Sequence, residues 1–199
     1  MDTFDWANFA SITKEHEHHP VLEKAEALVA SNEQERYALD LGCGGGRGTR
    51  FLLSRGWYVT AVDNEPASIA IVSAIDSHHL QVVKSAFEAF DFGEDRYDLV
   101  SAQFSLPFVH RDQFVSVFDR LKRSIKPGGV FAGQFFGPND EWNKPGSDVT
   151  FVPRDAIPGL LEGMKPVELV EEDKEGGTAT GAIKHWHVFH IIAQKDNKI

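Results

Sequence analysis

The sequence predicts an α/β protein with a doubly wound, mostly parallel sheet. Three observations carry that prediction. Apolar runs of strand length alternate with helix-length periodic stretches, a glycine cluster from Gly42 to Gly48 separates the first run from the first helix, and the alternation gives way near the C-terminus. Strands alternating with helices imply right-handed crossovers and a sheet covered on both faces.

The elements follow in order. The first strand is Tyr37 to Leu41, and a helix from about Arg47 to Arg55 stops at Gly56, a residue free to take a left-handed cap. Strand two is Tyr58 to Asp63, and Pro66 opens a helix reaching about Ile75, where proline's missing N–H costs nothing. Strands three and four are Leu80 to Lys84 and Tyr97 to Ala102. Phe114, Val117, Phe118, Leu121 and Ile125 recur on one face of an amphipathic helix. Lys126-Pro127-Gly128-Gly129 reads as a turn before strand five, Val130 to Phe136. Gly137 to Asp148 reads as a loop, and Arg154 to Leu161 as a short helix that Pro158 weakens. Val167 to Val170 and Trp186 to Ile192 read as strands joined by a polar loop, Glu171 to Gly181, giving an antiparallel hairpin at the sheet edge. At the other end, Val21 to Ala30 reads as helix, and Met1 to Pro20 as a loop, a short helix or a lid. The chain is thus expected to be one domain over 1–199, with an N-terminal helical or lid segment (1–36), a binding core (37–136) and a C-terminal part ending in the hairpin (137–199).

Composition narrows the function. The 199 residues suffice for one sizeable core, with 42% apolar and 25% charged residues. A net charge of −10 supplies no footprint for a phosphate backbone, so nucleic acid is not an expected partner. The single cysteine, Cys43, excludes an internal disulfide and suits a reducing compartment. The acidic N-terminus lacks a secretory signature, and no apolar run approaches the roughly 18 residues of a membrane span. A cytoplasmic protein without a membrane partner is expected, and its oligomeric state stays open.

Strand, glycine-rich turn and helix bring backbone N–H groups to a ligand at a helix N-terminus. No Gly-Lys-Ser/Thr occurs, so a P-loop is excluded, and every register of the dinucleotide fingerprint G-x-G-x-x-G/A fails, at Arg47, Thr49 or Phe51. What remains is an acid followed by alternating glycines: Asp40, Gly42, Gly44 and Gly46. The run Ala38-Leu39-Asp40-Leu41-Gly42-Cys43-Gly44-Gly45-Gly46-Arg47 resembles motif I of the class I S-adenosylmethionine-dependent methyltransferases. The acid at the end of strand two, Asp63, and the turn Lys126 to Gly129 are similar to that family's later features, and together they cover about residues 37–136. Lys184 to His190 looks like the tail of small bacterial members, some of them associated with tellurite resistance.

The resemblance implies a Rossmann-like fold and S-adenosyl-L-methionine as cofactor. It implies binding by Asp40, Gly42, Cys43, Gly44 and Gly46, by Asp63 with Asn64 at the ribose, and by Gln103 after strand four. The family often meets the adenine amino group with an acid after strand three. Here that position is Ala86, so Glu88 or the backbone at Phe87 takes the role. Cys43 reads as a space-filling residue, and Arg47 either faces a carboxylate or is solvated.

Methyl transfer is an in-line displacement, so alignment and exclusion of water matter most and a general base is optional. The segment after strand four, Gln103-Phe104-Ser105-Leu106-Pro107-Phe108, lacks the [Asn/Asp]-Pro-Pro-aromatic run of enzymes acting on base or glutamine amines. A small-molecule acceptor is therefore expected, in a pocket formed by Trp6, Phe104, Phe108 and His110, with His18 or His19 as candidate bases. The histidines of Glu15 to His19 and of His185 and His187 read as solvated or edge-strand residues, and no metal is expected. Two alternatives stay open: a nicotinamide-dependent oxidoreductase and a non-catalytic S-adenosylmethionine-binding module.

Overall fold

A computed structural model describes residues 4–29 and 35–197. In chain order the elements are α1 (Trp6–Thr13), α2 (Pro20–Glu26), β1 (Tyr37–Leu41), α3 (Arg47–Ser54), β2 (Tyr58–Asp63), α4 (Pro66–Ser73), β3 (Leu80–Lys84) and β4 (Tyr97–Ala102). A short 3₁₀ turn (Leu106–Phe108) then precedes α5 (Arg111–Ser124) and β5 (Ile125–Phe136). A second 3₁₀ turn (Arg154–Ala156) leads into α6 (Ile157–Leu160), and β6 (Met164–Gly177) and β7 (Ile183–Lys195) close the chain.

The strands form one seven-stranded sheet in the order β3-β2-β1-β4-β5-β7-β6. The first five run parallel and β7 and β6 add antiparallel at one edge, so the fold is the Rossmann-like α/β sheet read from the sequence. Chain order reverses between β1 and β4, which places the ligand crevice beyond their carboxyl ends. Alternate strand residues feed opposite faces. Leu39, Val100, Phe131 and Phe135 pack with Phe114, Val117, Phe118 and Leu121 of α5, while Ala38, Val59, Leu99 and Ala132 pack with Leu22, Leu52 and Trp57 on the other side.

Four expectations are corrected. The Lys126–Gly129 turn lies within β5, whose pairing with β4 shifts between Tyr97 and Leu99, and Gly128 takes φ +77° there. The polar run from Glu171 is largely strand: β6 extends to Gly177, and only residues 178–182 connect it to β7. An edge strand has a free flank, so charged side chains serve it well and hide it from an apolar pattern. The helix expected from Val21 starts at Pro20 and ends at Glu26, and Ala30 lies outside the described residues. The stretch from Arg154 to Leu161 divides into a 3₁₀ turn and α6, with Pro158 tolerated in the first turn of α6. Within the N-terminal stretch, α1 is a helix whose N-cap Asp5 accepts the Asn8 N–H at 2.9 Å.

Candidate active site

A cavity of about 230 Å³ opens at the carboxyl ends of β1, β2 and β4. Each loop glycine serves it differently. Gly42 takes φ +79°, and a Cβ there would sit 2.3 Å from Ser105 Cβ, so its bareness lets the segment after β4 close on the loop. Gly44 takes φ +49°, and a Cβ there would meet nothing within 4 Å. Its side faces space that a ligand can fill. Gly46 caps α3 at φ +79° and is not among the residues lining the cavity. Gly45 is pressed by α1: a Cβ would lie 2.6 Å from Ala10 O and 2.7 Å from Lys14 N.

Two carboxylates flank this loop. Asp40, buried at the end of β1, accepts the Thr49 hydroxyl at 2.6 Å. Burial raises its pKa to about 6, against the opposing pull of the Thr49 hydrogen bond and of Arg47. Asp63 accepts the Gly44 N–H on Oδ2 and the Glu65 N–H on Oδ1, each at 2.9 Å. A carboxylate oxygen has two lone pairs, so each oxygen retains one for a ligand hydroxyl. Cys43 lines the cavity as a buried thiol whose pKa is driven far up by burial, which keeps it un-ionised and inert.

Asn64, Phe87, Glu88 and Gln103 also line the cavity. Ala86 is not part of that lining; its carbonyl accepts the Ser85 hydroxyl. Gln103 is held rigidly: its amide donates to Ala132 O at 3.0 Å, and its Oε1 accepts from Gln134 Nε2 at 2.9 Å. Gln134, wholly buried in β5, also accepts the Phe104 N–H at 2.8 Å. That bond secures Phe104 at φ +54°, a left-handed conformation costly for a side-chain-bearing residue.

Phe104 stands between this cavity and a second one of about 600 Å³. The two share Trp6, Phe9, His19, Arg47, Phe104 and Phe108, and the far side of the second is formed by Phe136, Trp142 and Trp186. Trp6 and Phe108 stand edge to face with centroids 4.6 Å apart. These aromatics come from α1, the segment after β4, the end of β5 and the loop that follows it, and β7. Only Trp6, Phe104 and Phe108 of them were named from the sequence as pocket residues; long-range pairing places the remaining wall and leaves no local signal.

The three candidate histidines separate. His19 lines both cavities, and its Nδ1 accepts the Val21 N–H at 3.3 Å as the N-cap of α2. Burial first, then the neighbouring His190 and Arg47, lower its pKa to about 4. His18 stacks on Phe51 and faces Glu23, away from the cavities. His110 caps α5 by accepting the Asp112 N–H and lies outside both cavities. Neither His18 nor His110 meets the site expected for it. Among the described residues, no group of three or more His, Cys, Asp or Glu is arranged to hold a metal ion, and no helix is long and apolar enough to cross a membrane.

The site fits S-adenosylmethionine in its donor set. The empty side of Gly44 leaves room for the amino-acid tail, Asp40 complements an ammonium, and Asp63 keeps lone pairs for ribose hydroxyls. Gly46 provides no side-chain cap; Asp40 takes the Thr49 N–H, which leaves the N–H groups of Arg47 and Gly48 at the start of α3 for a carboxylate.

Comparison with known proteins agrees. Residues 38–129 match a methyltransferase domain family. An uncharacterized methyltransferase of Synechocystis sp. is 29% identical, over 74% of this chain and 66% of its own length. A trans-aconitate 2-methyltransferase of Delftia acidovorans is 27% identical, over 79% of this chain and 63% of its own length. The chain thus spans about two thirds of the length of these relatives. The crystal structure of TehB from Haemophilus influenzae shares the fold, with a TM-score of 0.74 at 19% identity over 93% of this chain and 66% of that one. The matched domain favours a methyltransferase over the nicotinamide-dependent alternative. Glycine loop, flanking acids and matched domain thus agree that this chain is similar to methyltransferases over residues 38–129, and the TehB structure shows the same fold.

Proposed function

We propose that the chain transfers a methyl group from S-adenosylmethionine to a small-molecule acceptor. One observation carries this: the cofactor cavity adjoins, across Phe104, a second cavity walled by aromatic side chains. When bound, the cofactor supplies a methyl group made electrophilic by its sulfonium. The protein's part is to hold, align and keep dry. Asp63 holds the ribose, Asp40 the ammonium and the N-terminus of α3 the carboxylate, while Phe87 and Glu88 border the place of the adenine. Gln134 keeps Gln103 and Phe104 in place, so the passage between the two cavities has rigid walls. Trp6 and Phe9 of α1 line both cavities and exclude water from them.

His19 is not assigned the role of base. With Nδ1 accepting a backbone N–H, the neutral ring carries its proton on Nε2 and presents a donor. The reaction is therefore assigned to acceptors that already expose an electron pair at neutral pH, such as carboxylates and thiolates. A relative's printed name, trans-aconitate 2-methyltransferase, supports a small acceptor of this kind. The test is formation of S-adenosylhomocysteine from S-adenosylmethionine across a panel of small thiols, carboxylates, oxyanions and hydroxylated compounds. Turnover on at least one is expected. Tight cofactor binding without turnover on any would favour a non-catalytic binding module.

A further inference from the structure

We propose that the second cavity seats an acceptor with a flat, unsaturated body and an anionic group, and that Arg47 is the specificity-determining residue pairing with that anion. This rests on the methyltransferase reading and names the acceptor class of the same site.

The body follows from the walls. Phe104, Phe108, Phe136, Trp142 and Trp186 present ring faces and edges that suit a planar guest. The same rings are ill-suited to a cation. The buried ammonium of Lys184 already lies 4.0 Å from the Trp142 ring centroid and 3.7 Å from that of Trp186, and is paired with Asp140. The electron density that would attract a quaternary ammonium is committed to Lys184.

The charge follows from a census of the lining. Glu172 faces Lys174 at 3.4 Å and His190 at 3.9 Å, and Glu175 faces His185 at 3.1 Å. Each charged group of the hairpin wall thus has a partner. Arg47, half-buried between the two cavities, has no ion pair or hydrogen bond from its guanidinium among the described residues. It also starts α3, where the helix dipole is positive, so it adds to that field. A desolvated, unpaired guanidinium is costly, and its planar fork matches a carboxylate or similar oxyanion. Burial disfavours its charged form, and Asp40 is the one carboxylate that opposes this. His190 Nδ1 is buried in the same lining without a hydrogen-bond partner, a second polar group left for a guest.

The cofactor's own carboxylate is the competing partner for Arg47. It has the N–H groups of Arg47 and Gly48 at the start of α3 at its disposal, whereas the Arg47 side chain is the one of residues 42–48 that also borders the second cavity.

Tryptophan fluorescence tests this directly, because Trp6, Trp142 and Trp186 line the second cavity while Trp57 is buried in the core. Protein saturated with S-adenosylhomocysteine is titrated with benzoate, benzamide and benzyltrimethylammonium. Benzoate is expected to bind about tenfold or more tighter than benzamide, the value of a charge-assisted pair, and the cation weakest. Arg47→Gln should abolish the preference for benzoate and Arg47→Lys should keep part of it, each measured on protein saturated with S-adenosylhomocysteine. Equal binding of benzoate and benzamide, or preference for the cation, overturns the proposal. So does an Arg47→Gln protein that keeps the benzoate preference but loses S-adenosylhomocysteine affinity, since Arg47 then belongs to the cofactor. Failure of wild-type protein to bind S-adenosylhomocysteine overturns the methyltransferase reading, and this proposal with it. Binding without charge preference overturns this one alone.

Discussion

Asp40 shows how a single residue couples burial to ligand binding. Its carboxyl is raised from 3.8 to about 6 chiefly by burial, opposed by the Thr49 hydrogen bond and Arg47 and reinforced by Asp63. A raised carboxyl pKa favours the protonated folded state, so stability of the ligand-free protein falls as pH rises from about 4 through about 6, and is level above that. The shift corresponds to roughly 3 kcal/mol, the order of the burial penalty. A cofactor ammonium favours the charged carboxylate, so the sign for binding is opposite: affinity should rise with pH through about 6 and then level off. Calorimetry with S-adenosylhomocysteine from pH 5 to 8 checks this. Asp40→Asn should flatten the profile, stabilise the ligand-free protein at pH 8 and weaken binding; an unchanged profile would remove Asp40 from the ammonium's environment. The loop acids were legible in the sequence because their chemistry is local: each ends a strand beside a turn, in a fixed order. His18 and His19 were named as bases and His110 as a pocket residue by residue type, and the surroundings decide otherwise: His18 stacks on Phe51, while His19 and His110 spend Nδ1 on a backbone N–H at a helix start.

At the scale of elements, α1 bears directly on the glycine loop. Its carbonyl at Ala10 and its C-terminal backbone at Lys14 occupy the space where a Gly45 side chain would stand, and Arg50 donates to Lys14 O and Gly45 O from the other side. Backbone atoms cannot move aside as a flexible side chain does, so Gly45→Ala should displace α1 while leaving the sheet intact. The expected readouts are faster proteolysis between Thr13 and His18 and a shift in Trp6 emission, with far-UV dichroism nearly unchanged. A variant with wild-type proteolysis and emission would show that α1 accommodates the methyl group. This docking was not legible beforehand. The sequence offered Trp6 as a pocket residue, but a run of three glycines looks like cofactor chemistry throughout. The structure divides it: Gly44 faces the ligand space, and Gly45 faces a helix. The hairpin was legible only in part for a related reason. Its apolar halves announced strands, whereas residues 171–177 are stabilised by cross-strand pairs such as His187 with Glu171 and His185 with Asp173, which in sequence look like a solvated loop.

For the whole molecule, the reversal of strand order between β1 and β4 makes one crevice, and six separate parts of the chain complete it: the glycine loop, the β2–α4 turn, the segments after β3 and after β4, α1, and the start of α2. Such a site stabilises the fold by mass action when its ligand binds the folded state alone. At a hundredfold excess over Kd this amounts to about 2.7 kcal/mol, and for a domain of this size each kcal/mol moves Tm by roughly 2–4 °C. S-adenosylhomocysteine at that excess should therefore raise Tm by about 5–11 °C. Removing residues 1–17 takes away Trp6, Phe9 and Thr13 from the cavity wall but none of the sheet and none of α2, whose N-cap is His19. The truncated chain should still melt cooperatively, at a lower Tm. At the same S-adenosylhomocysteine concentration its upward shift should be less than half that of the full chain, because the weakened Kd enters the logarithm directly. Scanning calorimetry of both chains with and without ligand decides the matter. Equal shifts would mean that α1 rests on the loop without contributing to the cofactor site.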